Sequence, residues 1–151
     1  MKSTQTDPFD VLIMGAGFAG ICQARHLKLK CPGIRVGLID PKGTDVSTRD
    51  FKVGESLVEI SAMFLYRELE LHEYLIENHP PKYGLNFHWP KQPDKTETIE
   101  DYYHVWTNAN PHLPSYQLNR AKFEADVLKM CIDQGVEYIQ GKVVDVTLNP
   151  D

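Results

Sequence analysis

Between a short apolar run and a helical stretch the chain reads Gly15-Ala16-Gly17-Phe18-Ala19-Gly20, a complete GxGxxG. Each glycine meets a separate demand of phosphate binding: Gly15 allows a tight turn, Gly17 lets the backbone approach a pyrophosphate, and Gly20 lets the following helix pack close to the preceding strand. The helix start adds free N–H groups and positive potential for an anion. Asp40 follows Gly20 by about 20 residues at the end of a second apolar run, where a carboxylate can accept hydrogen bonds from both ribose hydroxyls and disfavours a 2′-phosphate. Loop, spacing and acid together indicate a bound dinucleotide. They leave NAD and FAD both open.

Further candidate residues are Arg49 and Arg120, which could pair with phosphate or ribose oxygens and could equally be solvated surface cations. Ser56 and Glu59 form an S-x-x-E capping box, so Glu55 and Ser56 have a purely structural reading as the start of a helix. The histidines show no metal-ligand spacing, and no metal is expected. Cys22, Cys31 and Cys131 are odd in number and lack CxxC spacing, which argues against a disulfide framework or zinc site and for a reducing, cytoplasmic setting.

The elements that must position these residues follow from periodicity. Val11-Leu12-Ile13-Met14 is the apolar run of a strand buried in a parallel sheet, Ile21, Ala24 and Leu27 recur at helical spacing through Lys28, and residues 34–39 read as a second strand. This is a strand, helix, strand unit of dinucleotide-binding type. Residues 42–52 are a polar loop, and a long amphipathic helix is expected from the Ser56 cap to about Asn78, ended by Pro80-Pro81. Tyr83, Leu85, Phe87 and Trp89 alternate as in a strand, and residues 104–106 suggest another; Tyr83, Phe87 and Trp89 could line an aromatic substrate site, although an aromatic stripe of this kind is commonly plain core. Asn119 can cap a helix through Gln134 that Gly135 ends, and residues 136–139 and 143–148 read as closing strands.

The 151 residues suit one domain, and 42% apolar with 25% charged residues is an ordinary globular mixture. Sixteen basic against 21 acidic residues, a net charge of −5 without a basic block, disfavour nucleic acid as a partner. The first apolar run is too short for a signal-peptide core or a membrane span. The expected layout is an α/β, Rossmann-like domain over 1–151, with a frayed tail at 1–9 and a strand-containing insertion at 80–118. Asn149-Pro150-Asp151 reads as a turn awaiting a returning strand, so the chain is expected to be a fragment.

Three blocks resemble the flavin-dependent halogenases, the group typified by tryptophan halogenases: the glycine loop with Asp40, Val53-Gly54-Glu55-Ser56, and Arg120-x-x-Phe123 followed by Gly135-Val136. The last two also occur in flavin monooxygenases and geranylgeranyl-reductase-like enzymes. The resemblance implies FAD as cofactor, its pyrophosphate over residues 15–20 and its isoalloxazine near Gly54, Glu55 and Ser56. Glycine at 54 permits close approach of a flat ring. A fourth block, Lys82-Tyr83-Gly84-Leu85-Asn86-Phe87-His88-Trp89, matches the segment in which such enzymes carry a lysine that receives hypohalous acid. By resemblance Lys82 is the catalytic lysine, the substrate is an electron-rich aromatic small molecule, halide is a co-substrate, and a reductase partner supplies reduced flavin. Without the resemblance Lys82 reads as a solvated loop residue. A Trp-x-Trp-x-Ile-Pro segment and a Gly-Asp block, both part of the wider pattern, are absent. Alternatives are an FAD monooxygenase, an alkene reductase, or a dinucleotide-binding module without turnover.

Overall fold

The structure, a computed structural model, describes residues 8–49, 52, 55–107 and 115–148. Strand β1, Val11–Met14, leads through the glycine loop into helix α1, Phe18–Lys30, and then to β2, Val36–Asp40. The parallel pairing places Val11 opposite Val36 and Met14 opposite Ile39. A third strand, β5, Glu137–Gln140, pairs parallel to the other side of β2, giving the order β1-β2-β5. β2 is therefore central, which is why Val36 and Leu38 are almost fully buried. The α/β, Rossmann-like reading is the architecture observed.

Helix α4, Arg120–Asp133, packs with α1 over this sheet, and Ile21, Leu38, Phe123, Val127 and Leu128 form the centre of the core. Asn119 is its N-cap, its side chain accepting from the Lys122 N–H at 3.1 Å, and Gly135 leaves the helix at a φ of 85°. Both ends are as the sequence predicts. Phe9, assigned by sequence to a frayed tail, lies beneath the Arg35 guanidinium at 4.8 Å.

Residues 56–78 do not form one helix. Helix α2 spans Glu59–Met63, widens into a π turn over Phe64–Glu68, and breaks before helix α3, His72–Asn78. Glu70 at the break has a φ of 53°, unusual for a residue with a side chain. The break lets both Leu69 and Leu71 be buried. Its cost is met from another element, because the buried Arg25 Nε donates to the Leu69 carbonyl at 2.7 Å. Nor does the expected capping box form: the N-cap is Val58, and Ser56 is drawn into a bridge with Gln117.

Strands β3, Leu85–Pro90, and β4, Tyr102–Thr107, make an antiparallel hairpin apart from the main sheet. Its aromatic stripe is not core here. Leu85, Phe87, Trp89, Tyr103 and Val105 remain 43–52% exposed. Residues 143–148 join no strand among the described residues, because a β pattern becomes a strand only where a partner completes its ladder. No helix among the described residues is long and apolar enough to cross a membrane.

A polar chain runs along the edge of the core. The Asn119 N–H donates to His79 Nδ1 at 3.4 Å, His79 Nε2 faces Tyr74 Oη at 3.3 Å, and Tyr74 donates to Asp126 at 2.8 Å. This order requires neutral His79 with its proton on Nε2. Burial holds its pKa below the ordinary imidazole value, with the nearby Lys122 charge acting in the same direction. The neutral form therefore favours folding above about pH 6.5, and that contribution is lost as pH falls through the lower folded-state pKa. The unfolding free energy of the intact protein, measured by urea titration, should decrease from pH 7.5 to 5. His79→Gln should flatten that decrease; an unchanged slope would remove His79 as its source.

Candidate functional site: the glycine loop and the 55–57 segment

The glycine loop is built by short backbone approaches. Gly15 has a φ of 103°, open to glycine at little cost, and its N–H donates to the Ile39 carbonyl at 2.7 Å. A Cβ on Gly20 would stand 1.8 Å from the Gly15 carbonyl oxygen, so the third glycine is fixed by packing of helix against loop. Gly17 is different. A Cβ there would meet nothing among the described residues within 4 Å, and the space above it opens into a cavity of about 480 Å³. Met14, Phe18, Leu57, Leu118 and Arg120 help to wall this cavity. The first helical bond of α1 runs from the Ile21 N–H to the Gly17 carbonyl, so the N–H groups of Phe18, Ala19 and Gly20 lie ahead of it at the positive helix end.

Asp40, 9% exposed, braces the loop. One carboxylate oxygen accepts from the Ala16 N–H at 2.7 Å and the other from the Lys42 N–H at 2.9 Å. A carboxylate oxygen can accept more than one bond, so this brace leaves acceptor capacity for a ribose hydroxyl. Arg49 is not a surface cation. It is buried and donates to the Ala16 carbonyl at 2.9 Å and the Gly43 carbonyl at 3.2 Å, while its Nε is buried without a partner among the described residues.

Arg120 begins α4 at the cavity wall with its guanidinium 5.4 Å from the Phe18 ring centroid. Its backbone N–H donates to Glu55 at 3.0 Å, and its side chain donates to Glu124 at 2.7 Å. Glu124 is fully buried between Arg120 and Lys52, whose Nζ lies 3.1 Å away. Sequence reasoning gave Glu124 no role. The i,i+4 spacing of Arg120 and Glu124 was its available signal, but such pairs are ordinarily on the surface.

A strap of residues 115–118 brings the remaining candidates together. On one side Leu57 N–H donates to the Tyr116 carbonyl at 3.0 Å and Leu118 N–H to the Glu55 carbonyl at 2.7 Å. On the other, Lys82 N–H donates to the Ser115 carbonyl at 2.8 Å and Gln117 N–H to the Pro80 carbonyl at 3.0 Å. Lys82 is thereby placed beside Ser56, with its ammonium donating to Ser56 Oγ at 3.1 Å and to the Leu57 carbonyl. Gly54 lies outside the described residues. Burial pushes the thiols of Cys22 up to about 12 and Cys131 to about 11, which makes both inert, and all three cysteines are free. No group of three or more metal-ligating side chains occurs among the described residues.

No protein-family model matches the chain. Over 150 residues it is 52% identical to the flavin-dependent halogenase chlA of Dictyostelium discoideum, across 97% of this chain and 25% of that protein. The flavin-dependent brominase Bmp2 matches in fold with a TM-score of 0.71 at 25% identity, over 93% of this chain and 31% of its own. The myxobacterial chondrochloren halogenase CndH, an FAD-dependent halogenase, gives 0.72 at 24% identity, over 93% and 30%. The chain thus spans about a quarter of the length of the curated relative it matches. Over the matched part the chain is similar in sequence to a flavin-dependent halogenase and in fold to halogenases of that kind.

The second and third glycines of the loop separate by experiment. Gly20→Ala should destabilise the intact protein by roughly 2 kcal/mol or more, since backbone must move to admit the methyl group. Gly17→Val should leave the unfolding midpoint near wild type while abolishing flavin uptake, read by fluorescence titration. Equal flavin affinity of Gly17→Val and wild type would make the loop merely structural.

Proposed function

We propose that the chain is the cofactor-binding part of an FAD-dependent halogenase acting on an electron-rich aromatic small molecule in the cytoplasm, with halide as co-substrate and a reductase supplying reduced flavin. The observation that carries this reading is the placement of Lys82 against Ser56 and Leu57, the latter a wall of the cavity over the glycine loop. The 52% identity to a flavin-dependent halogenase supports it over the matched quarter of that protein.

FAD fits the residues present. Open space over Gly17 suits a pyrophosphate, the Phe18–Gly20 N–H groups offer donors, and Asp40 retains acceptor capacity for the ribose. Gly15, Ala16, Gly17, Phe18, Ala19 and Gly20 would hold the cofactor with Asp40; Arg49 shapes the loop from beneath, and Glu55 and Ser56 would border the isoalloxazine with Gly54. Arg120, already paired to Glu124, keeps one face over Phe18 at the cavity. Bound and reduced, FAD with oxygen supplies the oxidation of halide to hypohalous acid.

Lys82 would hold that acid by hydrogen bonding from its ammonium and present the halogen to the ring. A carbon–halogen bond forms, the oxygen–halogen bond breaks, and the hydroxyl leaves as water with the proton lost from carbon. The insertion expected at 80–118 would carry Lys82 towards the substrate side.

Lys82→Ala in the intact protein should lower halogenated product on the order of 100-fold, the scale of a lost positioned proton donor, while flavin affinity is retained. Product mass is read after supplying reduced flavin, bromide or chloride, and a panel of indoles, phenols and pyrroles. Halogenation by the variant at the wild-type rate would remove Lys82 from the chemistry; a wild type that only hydroxylates or reduces would overturn the halogenase reading.

A further inference from the structure

The Leu57 carbonyl accepts two donors at once, the Lys82 ammonium and the Ser115 hydroxyl, the latter at 2.7 Å. Ser115 is 2% exposed, so its hydroxyl is shielded from competing water. Its own carbonyl accepts the Lys82 N–H at 2.8 Å. Ser115 therefore meets Lys82 at both ends of the side chain, directly at the backbone and through the Leu57 carbonyl at the ammonium. The bonds close a ring that sets how far the ammonium stands from its own backbone.

We infer that Ser115 is the positioning residue for Lys82, fixing the Leu57 carbonyl on which the ammonium rests. A lysine has a long flexible stem and a strongly hydrated head, and a single acceptor on a movable segment would not confine it. Two lone pairs on one carbonyl, one taken by a buried hydroxyl, give it a fixed mooring. The backbone bond from Leu57 N–H to the Tyr116 carbonyl holds the preceding peptide unit of the same residue, so Leu57 is tied to the 115–118 strap on both sides. Without the Ser115 hydroxyl, the Leu57 carbonyl loses its buried partner and the ammonium its fixed site. The consequence for turnover rests on the halogenase reading; the consequence for Lys82 itself does not.

The test compares wild type, Ser115→Ala and Ser115→Thr of the intact protein by two readouts. The first is the rate of Lys82 modification by an amine-acylating reagent at fixed pH, followed by peptide mass spectrometry, with the well-exposed Lys129 as internal reference. Lys82 should react several-fold faster in Ser115→Ala and at the wild-type rate in Ser115→Thr, which keeps the hydroxyl. The second is halogenated product per reduced flavin oxidised, expected to fall roughly five- to tenfold in Ser115→Ala, the scale of one lost hydrogen bond, and to recover in Ser115→Thr. Should Ser115→Ala lose its fold by circular dichroism, Ser115→Cys, similar in size and a weaker donor, carries the same comparison. Lys82 labelling that is unchanged or slower without the hydroxyl would overturn the inference. Faster labelling in a protein whose wild type forms no halogenated product would support the positioning role and overturn the functional reading alone.

Discussion

The short strap at residues 115–118 is the constraint on which the site depends. It lies between two segments distant in sequence, pairing with 55–57 on one side and 80–82 on the other. A lysine that follows two prolines is thereby held against a serine 26 positions earlier. The same strap delivers Leu118 to the cavity and starts α4, whose first N–H is capped by Glu55. Backbone bonds of this kind are obligatory for buried polar groups, so the arrangement is dictated by satisfaction of the main chain as much as by the side chains it presents.

The glycine loop shows the same economy in a smaller space. The groups that lie beneath it, Asp40 and Arg49, hold its backbone from below, while the face above Gly17 is left clear. A negative group and a positive group both serve the loop, one accepting from the Ala16 N–H and the other donating to the Ala16 carbonyl. Holding both backbone polar groups of one residue, Ala16, orients the two peptide units that meet there before any ligand arrives, which lowers the ordering cost of binding. Glu124, buried between Arg120 and Lys52, similarly fixes Arg120 at the cavity wall.

What could be read in the sequence was what local chemistry determines. The β1-α1-β2 unit, the Asn119 cap and the Gly135 stop each rest on a few adjacent residues, and each appears where its pattern places it. The broken helix was not legible, because the guanidinium that satisfies the freed Leu69 carbonyl comes from Arg25, far earlier in the chain. The Ser56–Glu59 box was a sound local pattern outcompeted by pairing with the strap. Residues 143–148 have the alternation of a strand, but alternation does not supply a partner. The site divides in the same way: the glycines and Asp40 were evident from spacing, whereas Lys82 stood out only through a family resemblance, and Ser115 and Glu124 emerge only from the fold.

The most direct test of the account is a crystal structure of the intact protein with FAD bound. The account places the pyrophosphate over Gly17 at the start of α1, with the Lys82 ammonium still within hydrogen-bonding distance of Ser56 Oγ. A cofactor seated away from the glycine loop, or a Lys82 side chain turned out into solvent with Ser56 left to another partner, would contradict it.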